Sequence, residues 1–304
     1  MNPSTPALRR LLFVMNPISG DIDKAELTDL IHEVCASRGR TAELFNTTGE
    51  NDLEKLRELI ASQNYDAVFA AGGDGTVNLV AQAMVANDIP MGILPLGSGN
   101  GLSKDLGIPQ DPEQALQLIW EHHVKPLDTL EVGGQFSTHL ADLGFNALIV
   151  ERFSAGDTRG PGAYVRVALQ EYIGYAPEHY RIVTDQETWE GKAFMLTIAN
   201  ARTFGSNVVI NPDSRMDDGR FELCVIEPFP ATAAPGILYR LYTNDFDDSE
   251  YTRRLRCRHA SIEVPGQAQA LVQIDGEPLQ LPLPIRIEIK PRSLQVLVPP
   301  PAAA

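Results

Sequence analysis

The first part of the chain alternates short apolar runs with stretches in which apolar residues recur every three or four positions. The short runs predict buried strands and the longer recurrence predicts amphipathic helices. Strands that alternate with helices are typical of a parallel sheet covered by helices. The predicted strands are Leu11–Met15, Thr41–Phe45, Asp66–Ala70 and Met91–Leu94, and the predicted helices are Lys24–Arg38, Asp52–Ser62, the stretch after Thr76, and Asp111–His122.

The pattern changes after Lys125-Pro126, where strand-like runs separated by turn residues become dominant. Many short strands separated by turns predict an all-β sandwich or barrel. We therefore predict an α/β domain over 1–126, a β domain over 127–298 and a disordered tail over 299–304. The strand-like runs are Asp128–Val132, Gln135–Asp142, Tyr180–Thr184, Lys192–Ala199, Phe221–Ile226, His259–Val264, Ala270–Ile274, Ile285–Ile289 and Leu294–Val298, with helical breaks at Ala163–Gly174 and Ala233–Tyr242.

The charge and the cysteines narrow the class of protein. A formal net charge of −15 argues against nonspecific nucleic-acid binding and against stable electrostatic attachment to anionic membranes. Cys35, Cys224 and Cys257 are widely spaced without a metal-binding pattern, which predicts buried thiols in a reducing compartment. The apolar run Leu11–Met15 is too short for a signal-peptide core or a membrane span. We expect a cytoplasmic protein without a nucleic-acid partner.

A glycine-rich segment, Gly72–Asn78, lies between a predicted strand and a predicted helix. Such a turn leaves backbone N–H groups unobstructed and points a helix N-terminus at its ligand, which favours a phosphate site. Asp74 would repel a phosphate unless it contacts a metal ion, a hydroxyl or a donor. The alternative interpretation is a tight turn in which Asp74 or Thr76 caps the helix.

Two more small polar turns, Asn16–Gly20 and Gly97–Gly101, follow other predicted strands of the same half. Ligands of open α/β sheets bind outside the carboxyl ends of the strands, so three such turns predict a nucleotide pocket. The sequence has no P-loop motif and no dinucleotide-binding fingerprint in its first turn.

These three turns, together with two acidic segments of the second half, resemble the ordered motifs of the diacylglycerol kinase catalytic family. The motifs are Asn16-Pro17-x-x-Gly20, Gly72-Gly73-Asp74-Gly75-Thr76-x-Asn78, Pro95-Leu96-Gly97-Ser98-Gly99-Asn100, Asp217-Asp218-Gly219 and Asp275-Gly276-Glu277. The resemblance implies an ATP-binding α/β domain with a parallel sheet, related to phosphofructokinases and NAD kinases, and a β-sandwich lipid domain.

The resemblance also implies roles for individual residues. Asp74 would hold the Mg²⁺ of the nucleotide, because Mg²⁺ takes few carboxylates and keeps several waters. Thr48 fits the ATP site almost as well as its neighbour Thr47. The implied ATP-binding residues are Asn16, Pro17, Gly20, Thr47, Gly72, Gly73, Asp74, Gly75, Thr76, Asn78, Gly97, Ser98 and Asn100.

In the second half, the resemblance implies a catalytic base in the Asp275-Gly276-Glu277 segment, with Glu277 the first choice and Asp275 the second. An ordinary hairpin turn is the alternative, since Asp-Gly is a common turn dipeptide. A structural Mg²⁺ site is implied at Asp218 with the carbonyls of Arg215 and Arg220, against the alternative of a solvated hairpin turn.

The implied function is an ATP- and Mg²⁺-dependent lipid kinase of phospholipid metabolism. Its acceptor would be a hydroxyl of a diacylglycerol-like or sphingoid lipid presented by a membrane or micelle. The protein would contact the membrane only peripherally, and a homodimer is one expected assembly. The Gly97-Ser98-Gly99-Asn100 turn is closer to sphingosine and long-chain-base kinases and leaves the acceptor open. Alternatives are an NAD kinase-like enzyme and a catalytically silent nucleotide- or lipid-binding protein. Apolar residues of Phe145–Gly174 line an acyl-chain pocket or belong to the core.

Overall fold

The structure, a computed structural model, describes residues 7–17, 23–156, 161–172, 174–204 and 208–301. The chain divides into two compact units, Met1–Leu127 with Arg292–Ala304, and Asp128–Pro291. Residues 292–298, which the sequence prediction assigned to the second domain, group with the first unit.

The first unit alternates strands and helices along the chain. Its elements are β1 Arg10–Met15, α1 Lys24–Ser37, β2 Thr41–Asn46, α2 Asp52–Ser62, β3 Ala67–Gly72, α3 Asp74–Met84, β4 Met91–Pro95, α4 Gly101–Asp105, α5 Pro112–Ala115 and a 3₁₀ helix Leu116–Ile119.

These four strands form a parallel sheet in the order β2-β1-β3-β4, as the alternation of strands and helices predicts. Every residue of β3 is buried, and the rings of Phe13 and Phe69 stack at 4.9 Å between neighbouring strands. In α1, Leu27, Ile31 and Cys35 recur at four-residue spacing and are all buried. The carboxyl ends of the strands therefore lie at one edge of a sheet whose centre is apolar.

The second unit contains most of the strands. The elements from β5 onward are β5 His123–Val132, β6 Gln135–Ser137, β7 Leu140–Gly144, α6 Phe145–Ala155, α7 Pro161–Tyr172, β8 Glu178–Thr184, β9 Thr188–Ala193, β10 Met195–Ala199, β11 Phe221–Ile226, α8 Ala234–Thr243, β12 Thr252–Cys257, β13 His259–Glu263, β14 Gln269–Ile274, β15 Glu277–Pro282 and β16 Ile285–Val298, with 3₁₀ turns at Ala231–Ala233 and Phe246–Asp248.

Two sheets build this unit. One has the order β12-β11-β10-β7-β14-β15 and is antiparallel throughout. In the other, β13 pairs with β8 and with the first part of β16, β8 pairs with β9, and β5 pairs with β6. Apolar side chains of both sheets form one buried cluster. The predicted fold class, an α/β domain followed by a β-sandwich, is confirmed.

Several predicted elements were wrong in extent. The helix predicted over Asp111–His122 is one α turn followed by a 3₁₀ turn, and His123 already begins β5. The run Lys192–Ala199 is two strands, because the chain leaves one sheet after Ala193 and enters the other at Met195.

The last two predicted strands are a single strand, β16. Its first part pairs with β13, and Val296 pairs with Met91 of β4 in the first unit. Helix α6 and strand β12 were not predicted. Pro299–Pro301 have no regular secondary structure, and the rest of the predicted tail, 302–304, lies outside the described residues.

Within the described ranges, no helix is long and apolar enough to cross a membrane. All three cysteines are buried free thiols, as predicted.

Candidate active site

Asn16 and Pro17, which begin the first predicted turn, follow β1, and Thr47 and Thr48 follow β2. The Thr47 amide donates to the Met15 carbonyl at 2.8 Å, which ties the segment after β2 to the end of β1. The Thr48 hydroxyl donates to Asp52 at 2.9 Å, whereas the Thr47 hydroxyl has no hydrogen-bond partner among the described residues. This difference favours Thr47 over Thr48 as the residue left available for a ligand.

A cleft of about 410 Å³ opens beside these turns. Gly20, one of the predicted ATP-binding residues, lies outside the described residues. Residues lining the cleft are Met15, Pro17, Lys24, Ala25, Thr28, Asp29 and Asn46.

The second and third predicted turns meet backbone to backbone. A Cβ added at Gly97 would lie 2.7 Å from the Gly73 Cα, and one added at Gly99 would lie 2.5 Å from Asp74 Oδ2. Real Cβ atoms do not approach other atoms so closely, so Gly97 is required for space rather than for backbone conformation, and a side chain at position 99 would displace the Asp74 carboxylate. An added Cβ at Gly72 would overlap the buried side chain of Thr76.

Asp74 fastens these two turns together. Its Oδ2 accepts from the Asn100 amide at 3.0 Å and its Oδ1 accepts from the Gly101 amide at 2.9 Å. The carboxylate therefore orders the start of α4, while α3, the helix that Asp74 itself begins, has Gly73 as its N-cap and no side-chain cap. The two amides occupy two of about four acceptor positions on the carboxylate, so a metal ion or a bound water can still share it.

Other predicted nucleotide-binding residues are placed around this junction. Asn100 Oδ1 accepts from the Gly97 amide at 3.0 Å, Ser98 is exposed at the tip of its turn, and Asn78 is half-buried in α3. Lys104, which the sequence reasoning missed, donates to the Gly99 carbonyl and places a cation beside the third turn.

In the second unit, Asp275 and Gly276 are the two-residue turn between β14 and β15. Both have positive φ, 47° and 94°, as a type I′ hairpin turn requires. The Asp275 carboxylate accepts from the Ser137 hydroxyl at 2.9 Å and from the amides of Thr138, His139 and Leu140 at 2.8 to 3.1 Å. Its lone pairs are thus engaged in holding the β6–β7 connection.

Glu277 follows this turn as the first residue of β15, and it is exposed. Its carboxylate forms no hydrogen bond or ion pair with any part of the chain that the structure describes. Of the two carboxylates predicted as bases, only that of Glu277 is therefore available to a substrate.

The residues of the predicted structural Mg²⁺ site do not fit a metal ion well. Asp218 Oδ1 accepts from the Arg220 amide at 3.0 Å, and Oδ2 is paired with the Arg256 guanidinium. Arg256 also lies 3.3 Å from Glu222 Oε1, so the two acids share one guanidinium. The Arg215 side chain is exposed and pairs with Asp217 at 3.7 Å.

The described residues also contain no group of three or more His, Cys, Asp or Glu side chains arranged to hold a metal ion. The predicted site has one carboxylate and two backbone carbonyls and would not form such a group. The pairing of Asp218 with Arg256 is therefore the observation that argues against it.

Comparison with known proteins identifies the family. The model of the diacylglycerol kinase catalytic domain matches residues 10–132, and the model of the YegS C-terminal NAD kinase beta sandwich-like domain matches residues 141–298. The chain belongs to the family that joins a diacylglycerol kinase catalytic domain to a YegS C-terminal domain. The predicted family and the prediction that the chain is a lipid kinase enzyme are thereby confirmed.

Individual relatives match along most of their length. A Pseudomonas aeruginosa protein named "Probable lipid kinase YegS-like" is 28% identical over 265 residues, which are 86% of each chain. A protein of the same name from Shewanella frigidimarina is 24% identical over 286 residues, 91% of each chain. The crystal structure of a diacylglycerol kinase from Bacillus anthracis str. Sterne has the same fold, with a TM-score of 0.76, 23% identity, and coverage of 99% of this chain and 100% of that chain.

The contact between the two glycine turns predicts a sharp difference between two alanine substitutions. Gly97→Ala would press its Cβ against the Gly73 backbone, and we expect the free energy of unfolding to fall by roughly 1–3 kcal/mol. Gly75→Ala is the matched control, because no atom lies within 4 Å of its Cβ position and alanine favours the helix. Urea unfolding of both variants measures this, and a Gly97→Ala protein as stable as wild type would contradict the close approach.

The pairing of Arg256 predicts how the second unit responds to Mg²⁺. Arg256→Met removes the cation that two mostly buried carboxylates share, so the free energy of unfolding should fall by roughly 1–3 kcal/mol. Excess Mg²⁺ should raise the melting temperature of this variant more than that of wild type.

Arg253→Met is the control for this prediction, because Arg253 lies on the same strand and its one ion pair with a described residue is that with Glu227 at the surface. If Mg²⁺ stabilised wild type as strongly as the Arg256→Met variant, the assignment of Arg256 would be wrong.

Proposed function

We propose that this protein transfers the γ-phosphoryl group of ATP to a hydroxyl group of a lipid. The observation that carries the proposal is that the two carboxylates at the turn after β14 have different surroundings. Asp275 is engaged by the protein, whereas the next carboxylate, that of Glu277, is exposed and unpartnered among the described residues. A carboxylate held on a rigid hairpin is suited to accept the proton of an attacking hydroxyl.

The nucleotide would bind at the carboxyl ends of β1, β3 and β4. There the two glycine turns leave backbone amides unobstructed, and the N-terminus of α3 carries no capping side chain. Lys104 adds positive charge beside the third turn, and Lys24 lines the cleft at the ends of β1 and β2, in a protein that is otherwise strongly acidic. Phosphoryl transfer depends on such positioning and charge neutralisation more than on covalent chemistry by the protein.

Mg²⁺ would accompany the nucleotide and would be shared by Asp74, whose oxygens keep acceptor capacity after binding two amides. When bound, Mg²⁺ neutralises charge on the phosphate oxygens. We do not extend the proposal to a second, structural Mg²⁺ at Asp218, because Arg256 already pairs with that carboxylate.

In the step itself, Glu277 accepts the proton of the lipid hydroxyl while the hydroxyl oxygen forms a bond to the γ-phosphorus. The bond from that phosphorus to the bridging oxygen breaks, and ADP leaves with the electron pair. A phosphomonoester of the lipid is the other product.

An aromatic cluster in the second unit supports a lipid as the acceptor. Its rings lie 4.5 to 6.4 Å apart, and they are half-buried rather than fully buried. Half-buried aromatic surface is suited to contact an acyl chain presented by a membrane or micelle. The members are Phe145, Tyr172, Tyr175, Phe194, Phe229 and Tyr251.

The first experiment is transfer from γ-labelled ATP to a panel of diacylglycerols and sphingoid bases in mixed micelles, with NAD in a parallel reaction. The proposal predicts label in the organic extract. Label in NADP would replace it by an NAD kinase activity, and no transfer to any acceptor would favour a silent binding protein. The panel also identifies the class of lipid acceptor. The homodimer and the cytoplasmic location stay predictions.

Two substitutions in one turn should separate catalysis from stability. Glu277→Gln should lower kcat by about 10²–10⁴-fold without changing the melting temperature, because the side chain is exposed and bonds to no described residue. Asp275→Asn should lower the melting temperature, because an amide cannot accept from all the groups that the carboxylate serves.

Steady-state kinetics and thermal unfolding measure the two effects. Glu187→Gln, an exposed glutamate in the β8–β9 turn, is the matched control and should keep wild-type activity. Near-normal kcat in Glu277→Gln would show that Glu277 is not the base.

A further inference from the structure

A buried carboxylate of the second unit has no place in the function proposed above. Asp142, in the middle of β7, has no solvent-exposed surface. Its cross-strand neighbours are Thr197 in β10 and Gln273 in β14. Because side chains alternate between the faces of a strand, Ala141 and Leu143 lie in the sandwich core while Asp142 lies on the opposite face. The register of three strands thus places three polar side chains side by side.

All the hydrogen-bond donors around Asp142 are neutral and point at its carboxylate. The Thr197 hydroxyl donates to Oδ1, and the Gln273 amide donates to Oδ2. The amide of Asn146, at the start of α6, donates to Oδ2 at 2.7 Å. The two amide groups can only donate, so both require Oδ2 to be an acceptor, whereas the Thr197 hydroxyl can donate to Oδ1 or accept from it.

The two amides have fixed orientations because their opposite ends are also bonded. Gln273 Oε1 accepts from the Gly276 amide at 2.8 Å. Asn146 Oδ1 accepts from the hydroxyl of Tyr164 in α7. Turning either amide over would place two acceptors together at the Asp142 carboxylate. For Gln273 it would also place two donors together at the Gly276 amide. A chain of hydrogen bonds therefore runs from Asp142 through Gln273 to the backbone of the turn that precedes Glu277.

We propose that Asp142 is a positioning residue for phosphoryl transfer, and that it fixes the Glu277 carboxylate through Gln273 and the Gly276 amide. The inference rests on the proposed role of Glu277 as the base. Asp275 holds the other side of the same turn, by its bonds to the β6–β7 connection. Because Glu277 has no side-chain partner among the described residues, its position depends on how firmly the turn is held.

The pH dependence of kcat distinguishes this positioning role of Asp142 from a purely structural one. Burial raises the pKa of Asp142 to about 6. The titratable groups that face it are Tyr164, Cys224 and His139; burial raises the pKa of Tyr164 and of Cys224, and His139 favours the ionised carboxylate when it carries a proton.

The sign of the pH effect differs between activity and stability. As the pH falls through about 6, Asp142 takes up a proton, and the hydrogen bond from the Gln273 amide weakens because its acceptor is no longer charged, so kcat should fall. A carboxyl group whose pKa is higher in the folded than in the unfolded chain binds its proton more tightly when folded. Its contribution to stability therefore rises as the pH falls from 6 towards 3.8, opposite to the change in kcat.

Asp142→Asn tests the proposal, because it keeps the shape and replaces one acceptor by a donor. We expect kcat to fall roughly 10- to 100-fold, since a displacement of about 1 Å has that effect on a reacting group. The KM for ATP should stay within about twofold, because the glycine turns belong to the first unit. Hydrogen exchange of the β14–β15 segment, followed by mass spectrometry, should become faster.

The double variant D142N/Q273E is designed to restore the kcat that Asp142→Asn loses. It returns a donor–acceptor pair to these two positions, and the carboxylate at position 273 can still accept from the Gly276 amide. The matched control is Glu178→Gln, because the Glu178 carboxylate also accepts from a tyrosine and a glutamine but is not linked to the turn. The control should keep wild-type kcat, and the double variant should recover most of it.

A second single variant keeps the test decisive if Asp142→Asn does not fold. Gln273→Met removes the link to Gly276 but leaves Asp142 with Thr197 and Asn146, and it should lower kcat to the same extent. The proposal is overturned if either single variant keeps kcat within about twofold of wild type. It is also overturned if the double variant regains its melting temperature without regaining kcat. A wild-type protein without transferase activity would instead contradict the proposed function, and the exchange experiment would still test the hydrogen-bonded link.

Discussion

The candidate site depends on aspartate carboxylates that accept hydrogen bonds from backbone amides of neighbouring turns. Asp74 binds the amides of Asn100 and Gly101 and so joins two glycine turns of the first unit. Asp275 binds three successive amides between β6 and β7 in the second unit. Hydrogen bonds from amides to a charged acceptor are stronger than neutral ones, and they leave few ways for a loop to move. Each unit thereby holds flexible, glycine-containing segments in one conformation.

This arrangement changes the meaning of the acidic residues in the sequence motifs. Asp74 and Asp275 first serve the chain itself, and Asp218 is paired with Arg256. Glu277 is the acid of these motifs that serves no such purpose within the described residues. The same logic applies to Asp142, whose carboxylate reaches the site only through Gln273 and a backbone amide. An acidic residue in a motif can thus be needed for the site without contacting a substrate.

The sequence was sufficient for the fold class, because β3 is a continuous apolar run and α1 buries residues at helical spacing. The sequence also predicted that the turns after β3 and β4 lie close together, because the carboxyl ends of neighbouring parallel strands share one edge of a sheet. It could not show that Arg256 pairs with Asp218, because the two residues are 38 positions apart and meet only through strand pairing. For the same reason Asp142 was missed, since its partners Thr197 and Gln273 come from two other strands. The predicted lengths of strands were wrong where the chain passes from one sheet to the other, as after Ala193. The hydrophobic periodicity is the same on both sides of that point, so the sequence pattern does not show the break.

The central claim is that the γ-phosphoryl group of ATP passes to a lipid hydroxyl. Its most direct measurement is the stoichiometry of the two products, with ADP quantified by chromatography and lipid phosphomonoester by ³¹P NMR of the organic extract. The account predicts equal amounts of the two products, formed only when a lipid acceptor is present. Formation of ADP without any lipid phosphomonoester, at the same rate with and without lipid, would contradict it.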